Sequence, residues 1–236
     1  MHMIDLRLSP QRLVAHAQAL GHNRVHDEDL GYAVHGWLQA ALGDHTPHCF
    51  RLMEQRNGQV RLLGYTAADV GVLREHASRF APPLATAVCG WDTAASKSMD
   101  GIRWKVGQTI GFEVRVCPVV RGKEGERDAF LASLPGGEVE ASKDRDGVYE
   151  DWLRSHVGPG IAIDDMRLTA FRLVSTWRRA HDKQGNTGSG RRVIRPDALM
   201  SGRLKVADPE GFRQLLVRGI GRHRAFGFGM LLLRPA

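Results

Sequence analysis

Two short stretches hold the residue types that can move protons and meet negative charge. In the first, Tyr32-Ala33-Val34-His35, a phenol and an imidazole stand three positions apart. At 100° per residue, Leu30, Val34, Trp37, Leu38 and Ala41 form one apolar helical stripe, and Tyr32, His35 and Gln39 fall on the opposite face. His35 is therefore not a core histidine, and an imidazole with an unperturbed pKa of about 6.5 suits proton transfer near neutral pH. Gly36 beside it is a costly residue inside a helix unless something must come close. In the second stretch, GIGRHRAFGFGMLLL from Gly219 to Leu233, the glycines Gly219, Gly221, Gly227 and Gly229 surround Arg222, His223 and Arg224. Glycine lets a phosphate backbone approach without a Cβ in the way, and successive N–H groups there can face an anion. A dinucleotide fingerprint does not fit, because Arg224 stands where the third glycine is needed and a helix, not a strand, precedes the loop. A tight turn, with Gly219 as helix cap and Gly227 and Gly229 allowing close packing, accounts for the glycines better than for the three basic residues.

These stretches must be positioned by regular elements. Met3 to Leu8 alternates like a strand, a helix is expected from about Glu28 to Leu42, and the strands Cys49–Glu54 and Gln59–Tyr65 flank the turn signal Arg56-Asn57-Gly58. A helix over Ala67–Arg79 and a strand over Leu84–Trp91 complete the order β-α-β-β-α-β. The second half repeats it with longer insertions. Ile110–Arg121 reads as a strand, Asp146–Val157 as a helix in competition with Arg127–Leu134, and Met166–Trp177 and Leu199–Val206 as strands around a loop. Asp208-Pro209 opens a helix whose inner face carries Phe212, Leu215, Leu216 and Gly219, and Phe226–Arg234 is the closing strand. The fold class is α+β: two tandem ferredoxin-like (RRM-like) domains with antiparallel sheets. The first spans residues 1–95 with the Tyr-x-x-His helix, the second 105–236 with the glycine loop, and they join near Thr93–Val106.

Composition narrows the partners. The 236 residues carry a formal net charge of +7, which favours a polyanion such as nucleic acid. No apolar run approaches the ~18 residues of a membrane span, and the start MHMIDLRLSP lacks the features of a signal peptide, so a cytoplasmic protein without membrane association is expected. Cys49, Cys89 and Cys117 are far apart, the reading being reduced, half-buried strand thiols. Neither the histidines near the N-terminus nor Asp27-Glu28-Asp29, read as helix capping, forms a metal motif, so no metal and no cofactor is expected. The segment Trp177–Pro196 places Arg178, Arg179, Lys183, Arg191, Arg192 and Arg195 around a Gly/Asn/Ser centre, the pattern of a polar loop that contacts phosphates. Arg121–Arg127, RGKEGER, is nearly charge-balanced and suggests no role.

The segment SGRLKVADPEGFRQLLVRGIGRHRAFGFGMLLLRPA, Ser201 to Ala236, resembles the C-terminal signature of the CasE family of CRISPR-associated endoribonucleases. EDLGYAVHGWL (Glu28–Leu38) resembles that family's Tyr-x-x-His helix, and IGFEVRVCPVVR its central strand. The resemblance implies two ferredoxin-like folds and metal-independent cleavage of precursor CRISPR RNA at the base of a repeat hairpin. It also implies retention of the mature crRNA in a Cascade-like complex with other subunits. RNA carries its own nucleophile: attack of a 2′-OH on the adjacent phosphorus leaves a 2′,3′-cyclic phosphate and a 5′-OH. On that reading His35 is general acid or base, Tyr32 orients the 2′-OH, and arginine stabilises the transition state. Gly36 and Ala40 depart from the family, many of whose members carry Arg or Lys at one of these positions. The stabilising charge must then come from another element, with Arg222 and Arg224 as candidates, or the site is slower, or the chain is a catalytically inactive repeat-RNA binding subunit.

Overall fold

Alternation makes β1 (His2–Leu8) a half-buried strand, with Ile4, Leu6 and Leu8 fully enclosed. In the computed structural model, which describes residues 1–21, 30–56, 58–122, 125–134, 144–178 and 191–236, two helices follow it. Ser9 caps α1 (Pro10–Ala19), accepting a bond from the Arg12 N–H with Pro10 in the first turn. The second, α2 (Gly31–Leu42), buries Val34, Trp37, Leu38 and Ala41, the stripe expected from its periodicity; Glu28 and the Asp27-Glu28-Asp29 cluster lie outside the described residues. The hairpin of β2 (Phe50–Glu54) and β3 (Val60–Thr66) pairs Glu54 with Val60, and α3 (Val70–Phe80) is capped by Asp69.

One expected strand is absent. Leu84–Trp91 contains a helical turn, α4 (Pro83–Thr86), set by Pro83 at its start, and Cys89 makes only an isolated bridge to Leu8. Ala85 is buried there, its carbonyl accepting the Trp37 indole N–H at 2.8 Å. The fourth strand is instead β4 (Ala95–Ser98), polar and exposed, paired with β1 by backbone alone. The antiparallel sheet runs β2-β3-β1-β4.

The second half begins with β5 (Thr109–Val116), which Cys117-Pro118 separates from the two-stranded ribbon β6 (Val119–Gly122) and β7 (Gly125–Asp128). The helices that competed for one position both form, as α5 (Ala129–Ala132) and α6 (Arg145–His156). A long hairpin follows, β8 (Ile161–Arg178) and β9 (Arg191–Val206), then α7 (Pro209–Arg218), capped by Asp208. The closing strand β10 (Leu231–Arg234) is shorter than expected because Gly227 and Gly229 take positive φ, and Arg224–Phe226 form a 3-10 turn. The sheet order β10-β5-β9-β8 repeats that of the first half, fourth-first-third-second. This is the ferredoxin-like arrangement, formed twice.

The two sheets share an interface. Leu63 and Tyr65 of β3 join the second half's core, and the Cys49 thiol lies 3.8 Å from the Leu216 and Val217 carbonyls of α7. All three cysteines are buried outright, not half-buried, and burial pushes each thiol up to about 12, so they are inert at neutral pH. No helix among the described residues is long and apolar enough to cross a membrane.

Candidate functional site

The polar face of α2 meets the glycine loop. The ring of Tyr32 stacks on Phe226 at 5.7 Å, and the His35 imidazole meets the same ring edge-on at 5.3 Å. Tyr32, His35 and Phe226 are all partly exposed. Gly31 through Leu42 reach this place because the opposite stripe is anchored in the first core, with Gly43 closing the helix at φ 53°. Beside His35, a pocket of about 290 Å³ is lined by Gln39, His48, Phe50 and Ala225. One lobe therefore supplies the imidazole and phenol, and the other supplies the aromatic platform against them.

The glycines of the loop answer to backbone geometry. Gly219, Gly221, Gly227 and Gly229 all have positive φ, where a side chain is strained. A Cβ on Gly221 would fall 2.5 Å from the Trp152 ring, and one on Gly229 would collide with the Ile220 carbonyl oxygen. The N–H groups of Gly219, Gly227 and Gly229 donate to the carbonyls of Leu215, Arg224 and Arg115 at 2.7, 3.3 and 2.7 Å. This corrects the expectation that these glycines present free N–H donors to a phosphate: all three are buried, and their donors are used within the fold.

Charge is gathered by a residue to which the sequence reading gave no role. Glu126, on the β6–β7 ribbon, accepts the Arg222 Nε–H at 2.7 Å through Oε1 and an Arg195 N–H at 2.5 Å through Oε2. The same Oε2 lies 2.9 Å from Nε2 of His223, which also contacts the Arg195 guanidinium. Burial opposes ionisation of Glu126, but the adjoining His223 and Arg195 outweigh it and hold the carboxyl down at about 2. Arg195 is thereby moved from the expected loop into β9, with only 8% of its surface exposed; it is a buried partner of Glu126, not a solvent-facing phosphate contact. Arg222 remains 44% exposed, and Arg224 donates to the Arg218 carbonyl at 2.9 Å.

A second ion cluster supports the loop from beneath. Arg115 grips Asp197 with two bonds of 2.7 and 2.9 Å and lies 4.3 Å over the Phe228 ring, and its own carbonyl accepts from Gly229. Arg172 adds a third bond to Asp197 at 2.7 Å. Burial pushes the Asp197 carboxyl up, and the two arginines more than reverse that, leaving it below its ordinary range.

The described ends of the basic segment are strand. Arg191 and Arg192 continue β9, paired with Arg178 and Trp177 of β8, while Arg179 and Lys183 lie outside the described residues. Pro196 is tolerated because β5 ends opposite Ala198, so beyond that point the described strand pairing of β9 is with β8 alone.

Two sheets of one topology, with a helix of the first set against a glycine loop of the second, define a tandem ferredoxin-like protein with a composite site. The chain belongs to the CRISPR-associated protein family, whose model matches residues 1–235. Among solved structures it is similar to the CRISPR endoribonuclease Cse3 bound to a 19-nucleotide RNA, at 20% identity and a TM-score of 0.60 with both chains fully covered. It is also similar to the CRISPR-associated protein Cas6e from Escherichia coli K-12, at 18% identity and 0.53, and to a chain of a CRISPR RNA-guided surveillance complex, at 15% and 0.54, again with full coverage of both chains. No curated protein sequence matches.

Proposed function

We propose that the chain is a metal-independent endoribonuclease that binds the hairpin of a CRISPR repeat, cuts precursor crRNA and keeps the mature crRNA within a multi-subunit effector complex. The carrying observation is the convergence of Tyr32 and His35 on Phe226, within the loop that holds Arg222, His223 and Arg224. Family membership and the folds of the RNA-bound Cse3 and the surveillance-complex chain support the reading.

In this mechanism the 2′-oxygen bonds to phosphorus as the bond from phosphorus to the 5′-oxygen breaks. The 2′-OH loses its proton and the departing 5′-oxygen gains one. His35 serves one of these transfers as acid or base, and Tyr32 orients the 2′-OH by a hydrogen bond. Arg222 or Arg224 stabilises the charge that builds on the phosphorane, in place of the basic residue missing at Gly36 and Ala40. Arg178, Arg191 and Arg192 contact the phosphates of the stem, with Arg179 and Lys183 between them in sequence. The domain assignment, 1–95 for the Tyr-x-x-His lobe and 105–236 for the loop lobe, goes with this division of labour.

Gly36 and Ala40 favour a second reading, a repeat-RNA binder of the same fold without activity. Incubating the purified protein with a labelled repeat hairpin in EDTA separates the two. Specific cutting is expected, whereas a mobility shift with an intact hairpin overturns the ribonuclease and leaves the binder.

A further inference from the structure

The structure assigns to Glu126 a positioning role: its carboxylate clasps Arg195, Arg222 and His223, and so sets the loop that holds Phe226 against Tyr32 and His35. The inference rests on the ribonuclease reading for what the positioned residues do, but its geometry is separate from it.

Glu126 joins three elements through one side chain, the ribbon β6–β7, strand β9 and the glycine loop. Its most consequential partner is His223, which has φ 59° and is the one described non-glycine residue with positive φ. Such a backbone persists only where surrounding contacts impose it. The His223 side chain is 7% exposed, fixed between Glu126 and Arg195, and its carbonyl accepts the Phe226 N–H at 2.9 Å. The chain of contact then runs from Glu126 to His223, from His223 to Phe226 at a ring separation of 6.2 Å, and from Phe226 to His35 and Tyr32. Arg222 is held through Nε, which leaves its terminal nitrogens for another acceptor.

A carboxylate here works against binding of a polyanion, since it cancels charge on a surface whose overall excess is positive. Its place is explained by order: it keeps two guanidinium groups and an imidazole at fixed separations and holds a strained turn. Opposite effects on affinity and rate separate Glu126 from a residue that merely stabilises the fold. Removing its charge without changing its shape makes the surface more positive and so favours RNA affinity, while loosening the platform under His35 and slowing cutting.

The test uses the full chain as Glu126→Gln and Glu126→Asp, with single-turnover cleavage at saturating hairpin and affinity for a hairpin blocked by a 2′-deoxy nucleotide. Glu126→Gln is expected to slow cutting by about tenfold to a hundredfold, the cost of a misplaced reacting group, with affinity unchanged or tighter. Glu126→Asp, which keeps the charge but not the reach, is expected to fall between Gln and the unaltered protein. Affinity that falls with the rate, or cutting at the unaltered rate in both variants, overturns the clasp. Thermal melts show whether the Gln form is folded; if it is not, the Asp form decides, by reduced rate at unchanged affinity for the clasp and an unaltered rate against it. Imidazole NMR of the RNA-free proteins is independent of activity. The His35 and His223 signals are expected to move in Glu126→Gln, or in Glu126→Asp if the Gln form is unfolded, and unmoved signals overturn the proposal. If the unaltered protein cuts no hairpin, the ribonuclease reading fails and these spectra alone judge the clasp.

Discussion

The two lobes share a sheet order and divide what they add to it. The first keeps short strands of four to seven residues and places its distinctive side chains on a helix, where Tyr32 and His35 ride on a buried stripe. The second extends β8 and β9 to 18 and 16 residues, inserts the ribbon β6–β7 after its first strand and carries a glycine loop after its last helix. The difference teaches that a repeated scaffold can separate chemistry from grip: on the proposed reading the first lobe would supply the proton-moving groups, and the second the platform, the charge and the arm. Neither set is complete alone, because the Tyr32 and His35 rings finish against Phe226 of the other lobe.

The sharpest way to break this division is in the first lobe. His35→Ala is expected to lower the single-turnover cleavage rate by about a thousandfold, the range of a lost general acid or base, with hairpin affinity retained in a mobility-shift titration. Equal losses of rate and affinity would place His35 among the gripping residues instead. In the second lobe, Gly229→Ala combines a positive φ with a collision at the Ile220 carbonyl, and a loss of about 2–4 kcal/mol in a urea titration is expected. An unchanged midpoint would mean that the loop's path is not what its glycines secure.

A smaller effect is expected in the arm. Replacing Arg191 and Arg192 together with Ala should weaken hairpin binding and reduce the slope of log affinity against log salt by about 2, with the bound-state cleavage rate kept. An unaltered slope removes the arm from the phosphate contacts. The smallest effect concerns acid. Because the Glu126 carboxyl is held near 2, below its ordinary 4.5, its contribution to stability is complete above pH 4.5 and fades as pH falls toward 2. The melting temperature of the unaltered protein relative to Glu126→Gln should converge over that window, and a constant gap would show that ionisation of Glu126 is not what the variant removes.

Much of the first lobe was legible in the sequence because its helices and hairpin are amphipathic. The Leu30-to-Ala41 periodicity placed Tyr32 and His35 outward, and the Asp208-Pro209 pair located α7. The same pairing of a capping side chain with a following proline, at Ser9-Pro10, marks α1. The strand β4 left no trace, since Ala95–Ser98 has no apolar face and is specified by backbone pairing with β1. Leu84–Trp91 carried the apolar content of a strand, yet Pro83 and the demand of Trp37 for a carbonyl made it a helical turn. Within the site, the glycine loop was readable as a turn next to charge, but its meeting with α2 required tertiary packing. Glu126 was hidden for the same reason: in RGKEGER it looks like one charge among several, and only the fold brings Arg195 and the loop to it. Arg195 looked like a loop cation until the register of β9 turned it inward.

The most direct measurement is cleavage of a repeat hairpin in EDTA with and without a 2′-deoxy nucleotide just upstream of the scissile phosphate. The account predicts cutting of the all-ribose hairpin to a 2′,3′-cyclic phosphate and a 5′-OH, and no cutting of the deoxy form. Undiminished cutting of the deoxy hairpin, or a 5′-phosphate product, would contradict it.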